Sequence, residues 1–165
     1  MINALTIDVE DYFQVSNFES LIEFKNWDKY ESRVERNTKK ILHILSENNV
    51  KATFFILGWV AEKHPQLILE IYKDGHEIAS HGYAHRLVYK QTLKEFRGDL
   101  RISKKIIEDA IGERIIGYRA PSFSITKDSL WALDILMEEG FVYDSSIFPV
   151  IHHRYGITNS KRFPY

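Results

Sequence analysis

The apolar residues of this chain change their period again and again, and that switching restricts the fold more than any other feature. Short β-rich runs at 4–7, 51–57, 76–80, 115–118 and 141–143 alternate with longer stretches in which apolar residues recur every three or four positions. The longer stretches read as helices over 33–48, 61–73, 92–110 and 126–139. Pro65 belongs in a first turn, which starts the second helix near His64. Thr126 suits the cap of the fourth, and Gly75 and Gly140 close the second and fourth. Buried strands alternating with helices predict a parallel sheet under a helical layer, because each parallel crossover takes about a dozen residues. An open doubly wound sheet and a (β/α) barrel both satisfy that pattern. A complete barrel takes about 250 residues, so a chain of 165 would form an incomplete one.

Composition narrows the function. With 44% hydrophobic residues, 8 Gly, 4 Pro and no repeat, the chain reads as one domain. Its 22 Lys+Arg nearly balance 23 Asp+Glu, which argues against nucleic acid or an anionic membrane as a partner. The absence of Cys excludes disulfides, thiolate catalysis and Cys-ligated zinc. No apolar run approaches the roughly 18 residues of a membrane span. The N-terminus lacks the basic and apolar regions of a signal peptide, so a cytoplasmic location is expected.

Chemistry-bearing residues gather just past the strands, the end at which both architectures bind ligands. Asp8, Glu10 and Asp11 follow the first strand, and His81 and His85 follow the third within Ser-His-Gly-Tyr-Ala-His. Arg119 follows the fourth in Arg-Ala-Pro-Ser, and Asp144-Ser145-Ser146 the fifth. His81 and His85 stand four apart, a spacing that on one helical turn puts both rings on one face. Two imidazoles and a carboxylate make a three-ligand site for a divalent metal. Carboxylates this close repel unless a cation or an arginine neutralises them; a metal and Arg119 would do so. The bland reading of the same residues is a pair of loop histidines, an acidic cap at a helix N-terminus and a surface ion pair.

Four segments occur in order: Thr6-Ile7-Asp8-Val9-Glu10-Asp11, Ser80-His81-Gly82-Tyr83-Ala84-His85, Arg119-Ala120-Pro121-Ser122-Phe123-Ser124 and Tyr143-Asp144-Ser145-Ser146. Together they resemble the successive motifs of the polysaccharide deacetylases, a carbohydrate esterase group that includes chitin-oligosaccharide and peptidoglycan deacetylases. The first and third are most similar to the branch associated with exopolysaccharide and exosortase gene clusters. The resemblance runs from Ala4 to about Pro149. It implies an α/β fold, a distorted (β/α) barrel incomplete at the C-terminus. The implied activity is hydrolysis of an N-acetyl group on a glycan with a divalent metal. The chain is accordingly expected to be the N-terminal portion of a longer protein.

Carried over by position, Asp8 matches the general base. His81 and His85 match the ends of the family's His-Ser/Thr-x-x-His pair, with Gly82 where a hydroxyl residue usually stands. The ligand carboxylate commonly follows the base directly, but that position is Val9. Glu10, which strand alternation puts on the side of Asp8, is one candidate for the third ligand, and Asp11 is the other if the chain turns at once. Arg119 matches the residue that orients the base, the Ser122 N–H the oxyanion donor, and Asp144 the motif that shapes the pocket floor. Zinc is the first choice of metal, with cobalt, nickel or iron able to substitute. Tyr83 and Phe123, with Trp59 and Phe148, are candidates for a wall around the acetyl methyl and the sugar face. The family's last motif, Leu-x-x-x-His, carries the histidine that protonates the leaving amine. It is not found here, and His152 and His153 follow the fourth motif too closely to replace it. Rival readings are a cyclic amide or ureide hydrolase of the same fold and a catalytically silent carbohydrate-binding relative.

Overall fold

The computed structural model describes residues 3–152 and 154–162. Five short strands form one sheet: β1 (Thr6–Val9), β2 (Thr53–Ile56), β3 (Glu77–Ser80), β4 (Gly117–Tyr118) and β5 (Tyr143–Asp144). They stand side by side in chain order, and every pair is parallel. A doubly wound sheet reverses its strand order at a switch point. This sheet never does, so each crossover steps to the next strand in the manner of a (β/α) barrel. Such crossovers are right-handed, which sends the helices to one face and leaves the other to line an interior.

The helices are α1 (Val34–Glu47), α2 (Gly58–Lys63), α3 (Pro65–Lys73), α4 (Leu93–Ile111) and α5 (Trp131–Glu138). The single helix expected over 61–73 is two. The chain breaks at His64 (φ −131°, ψ 55°), and Pro65 opens α3, where its missing N–H is not needed. α2 begins earlier than periodicity suggests because residues 58–61 are all buried and show no polar face. The helix expected over 126–139 shortens to α5, preceded by a 3-10 turn at Lys127–Ser129. α4 has a reciprocal cap between Thr92 and Glu95, and Gly112 ends it at φ +76°.

Register sorts the strand side chains into two sets. Val9, Phe54, Ile56, Ile78 and Tyr118 join α3 and α4 residues such as Ile68, Ile71, Phe96, Leu100 and Ile107 in the core. Each such side chain contributes about 1.5–3 kcal/mol when taken from water. Residues of the opposite parity, Thr6, Thr53 and Glu77 in one row and Asp8, Phe55 and Ala79 in the next, line the interior. Near its amino end Glu77 accepts hydrogen bonds from the Tyr143 hydroxyl at 2.8 Å and from Thr53 Oγ1. Tyr143 lies so close to β4 that a Cβ on Gly117 would meet its ring at 2.2 Å. A cavity of about 1140 Å³ borders Thr6, Thr53, Phe55, Tyr143, Asp144 and Phe148. No helix among the described residues is long and apolar enough to cross a membrane.

Candidate metal centre

β1 delivers two acids of one parity, Asp8 within the strand and Glu10 just beyond it. β3 leads into the loop with His81 and His85. That loop is not helical, so the helical-face argument does not describe how the two rings meet. Gly82 (φ +74°) and His85 (φ +51°) take left-handed conformations. The chain doubles back between the histidines and brings their ring centroids to 5.5 Å.

One ligand atom each from Glu10, His81 and His85 lies within 4.8 Å of the other two. His81 Nδ1 sits 2.8 Å from the Arg119 carbonyl oxygen. A carbonyl only accepts, so Nδ1 carries the proton and Nε2 offers a lone pair. Outer hydrogen bonds of this kind fix the tautomer of metal-binding histidines. Burial of the ring pushes its pKa down, which favours the neutral, ligating form. His85 Nε2 lies 2.9 Å from Glu10 Oε2, yet Glu10 Oε2 is buried without a hydrogen bond. Buried carboxylate oxygens are seldom left that way. Two ligand atoms, each about 2.1 Å from a common ion, sit about 3.0–3.4 Å apart at angles of about 90–110°. Two atoms at this separation can share one ion. Burial pushes the Glu10 carboxyl up, but the imidazoles of His85 and then His81 outweigh it and hold the pKa below its ordinary value. Two nitrogens and one oxygen suit zinc and its neighbours, and the residues fit such an ion.

Asp8 stands beside this trio. Its Oδ1 accepts from Arg119 Nη1 at 2.8 Å, and its Oδ2 is 3.9 Å from His81 Nε2. The guanidinium is held on several sides. It donates from Nε to the Ser145 carbonyl at 3.3 Å and from Nη2 to Ser145 Oγ at 2.9 Å. It also lies 4.1 Å from the Phe55 ring centre and 5.4 Å from that of Phe123. A planar donor fork gripped this way has one orientation to offer. Behind it, Ser146 Oγ accepts the Ala120 N–H at 2.7 Å and donates to Asp144. Burial pushes the Asp144 carboxyl up, against those hydrogen bonds. Asp144 thus lines the cavity with its carboxylate committed to bracing the turn after β4.

Ser122 and Phe123 are consecutive left-handed residues (φ 51° and 53°), a conformation that costs about 1 kcal/mol or more for each. The bend brings Ser122 Oγ to within 3.0 Å of Ser16 Oγ, which lies 3.4 Å from His85 Nδ1. Ser16 was not a candidate in the sequence, since no local pattern marks an isolated serine 69 positions from its partner. Phe123 stacks on Phe148 at 5.6 Å, and Phe148 on Tyr155 at 6.1 Å, forming an aromatic wall beside Arg119. His152 stacks on Tyr155; His153 lies outside the described residues.

Three assignments change. Asp11 is no substitute ligand: its Oδ2 accepts from Arg33 N at 2.6 Å, Val34 N at 3.0 Å and Ser32 Oγ at 3.0 Å. It caps the start of α1, so the acidic-cap reading holds for Asp11 while Asp8 and Glu10 face the interior. Tyr83 is not part of the substrate wall. Its ring meets Phe24, and its hydroxyl donates to Glu62 on α2 at 2.8 Å. Burial, with Glu62 beside it, pushes that hydroxyl up to about 12. Trp59 likewise packs edge-on against Phe13 and Trp27 in the core.

Residues 25–136 match the polysaccharide deacetylase family. A peptidoglycan-N-acetylglucosamine deacetylase of Bacillus cereus is 41% identical over 86 residues, which is 52% of this chain and 29% of that protein. A Mycobacterium smegmatis crystal structure, provisionally described as a polysaccharide deacetylase, is similar with a TM-score of 0.72. The two are 31% identical, over 87% of this chain and 50% of that one. A Bacillus anthracis pseudoenzyme of carbohydrate esterase family 4 shares the fold at TM-score 0.65 and 20% identity, over 86% of this chain and 41% of that one. The chain spans half or less of each of these relatives. The matched stretch takes in β2, β3 and β4, the histidine loop and Arg119, and the chain belongs to the polysaccharide deacetylase family.

Proposed function

We propose that this chain carries the reaction centre of an N-deacetylase that hydrolyses the acetamide of an N-acetylated glycan to acetate and a free amine. The observation that supports this most is a three-ligand cluster, Glu10, His81 and His85, beside a carboxylate, Asp8, pinned by Arg119. The trio would hold a divalent ion, zinc first. When bound, such an ion supplies Lewis acidity toward the amide carbonyl and makes water easier to deprotonate. Asp8 takes the proton of the attacking water on Oδ2, the oxygen not paired with Arg119. Arg119 keeps Asp8 aimed through the 2.8 Å pairing, and its own orientation is set by Ser145 and Phe55. The Ser122 N–H serves the oxyanion of the tetrahedral intermediate, a kind of donor worth about 3 kcal/mol. Phe123 and Phe148 give the acetyl methyl and the sugar face an apolar surface. None of these residues is assigned to protonate the departing amine.

The test is acetate release from N-acetylglucosamine oligosaccharides, peptidoglycan fragments and exopolysaccharide, with and without a chelator. Zinc-dependent release is expected, and Asp8→Asn lowers it by about 10²–10⁴-fold with zinc retained. Zinc-loaded protein that binds oligosaccharide without releasing acetate would make this chain a silent relative. Turnover of cyclic imides or ureides in place of glycans would make it that other hydrolase.

A further inference from the structure

His81 and His85 meet only because residues 82–84 turn back on themselves outside any helix or strand. All four backbone polar groups of Gly82 and Tyr83 are engaged from outside the site. At the start of α2, the Gly58 and Trp59 N–H groups donate to the Gly82 and Tyr83 carbonyls at 2.8 and 3.1 Å. From α4, Asp99 Oδ2 accepts the Tyr83 N–H at 2.9 Å, and the Ala84 N–H is directed at the same carboxylate. Ser103, one helical turn further on, donates to the Gly82 carbonyl at 2.9 Å and lies 2.9 Å from Ser80 Oγ. Ser80 Oγ in turn accepts the Gly82 N–H at 3.1 Å. Since the Ser103 proton goes to the carbonyl, Ser80 donates to Ser103. The hydrogen bonds then run in a closed ring from the Gly82 N–H through two hydroxyls to the Gly82 carbonyl.

Gly82 completes the fit. Its φ of +74° is left-handed, and a Cβ there would lie 2.8 Å from Asp99 Oδ2. Where the resembling motif usually has a hydroxyl residue, this chain has none, and the approaching carboxylate of α4 takes up the space. No ligand atom is touched by Asp99, which acts on the backbone between the two histidines.

We propose that Asp99, assisted by Ser103, is a positioning residue of the metal centre, its carboxylate clamping the 82–84 backbone so that the two histidines present their Nε2 atoms to one ion before that ion arrives. The inference rests on the metal reading given above and extends it to α4. It predicts that the clamp is felt as affinity and ligand geometry as well as folding stability.

The experiment uses the full chain as wild type, Asp99→Ala, Asp99→Asn and Ser103→Ala. Zinc affinity is read by competition with a chromogenic chelator, ligand geometry from the visible spectrum of the cobalt-loaded protein, and folding from melts in chelator. Asp99→Ala is expected to weaken zinc binding by about 10–100-fold and to alter the cobalt bands. Asp99→Asn, which keeps an oxygen acceptor for the Tyr83 N–H, is expected to recover most of both. An Asp99→Ala protein that melts lower but keeps wild-type zinc affinity and cobalt spectrum has lost only structure, and the proposal falls. If Asp99→Ala does not fold, Ser103→Ala decides: a loss of about tenfold supports the clamp, and unchanged affinity overturns it. Wild-type protein that takes up no zinc overturns the metal reading and the clamp together. Normal wild-type uptake with unchanged variants overturns the clamp alone.

Discussion

Two polar clusters line the same interior face, one at each end of the strands, and they are built on opposite principles. At the amino end, both Glu77 oxygens are taken, by Tyr143 and Thr53. At the carboxyl end, Glu10 Oε2 is buried with no hydrogen bond although an imidazole lies 2.9 Å away. Left-handed residues sort the same way. Asn49 and Gly75 close helices, whereas His85, Ser122 and Phe123 bend loops toward the acids. Polarity inside a parallel sheet is thus no mark of function by itself. Ligand atoms of three side chains converging on one point, on backbone that costs energy to hold, are the better mark.

The largest effect that would separate the two ends is metal uptake. His81→Ala should lower zinc affinity by more than about a hundredfold, read by elemental analysis after dialysis, and retained stoichiometry would erase the distinction. A smaller effect comes from acid. Burial holds the folded His81 below its ordinary 6.5, so below that pH the unfolded chain takes up a proton that the folded chain refuses. Metal-free protein therefore loses stability as pH falls from about 6.5 toward the folded value, by at most about 1.4 kcal/mol per pH unit. Urea unfolding at pH 7 and 5.5 should show a steeper loss for wild type than for His81→Ala; parallel losses would contradict it. The smallest effect sharpens the contrast from the other end. Tyr143→Phe should cost about 1 kcal/mol of stability and leave zinc affinity unchanged, and a change in affinity would join the two clusters into one.

Much of this was legible before any coordinates. β2 and β3 follow the period-switching runs closely, β1, β4 and β5 overlap theirs only in part, and the polar residues past β1, β3 and β4 do converge. Periodicity alone left barrel and doubly wound sheet open, because strand order is a property of long-range pairing that local period does not encode; it was the four motifs that pointed to the barrel. Asp11 and Glu10 could not be told apart by position, since what removes Asp11 is α1, whose first amides lie 22 and 23 residues further along. Ser16 and Asp99 were invisible for the same reason: each meets the histidine loop from a distant segment. The four-residue spacing of the histidines pointed to the right pair through the wrong geometry, as a glycine-led reversal brings together what a helical turn also would.

Arg119 serves both halves of the carboxyl-end cluster by different means, its main chain receiving the proton of His81 and its side chain receiving the charge of Asp8. Any amino acid at this position retains the carbonyl, while only one with a suitable cationic fork retains the pairing. The anchoring of His81 and the aiming of Asp8 are therefore encoded in separate parts of one residue. On the proposed reading, exchange of that side chain alone would remove the partner of Asp8 and leave the acceptor that orients His81 in place.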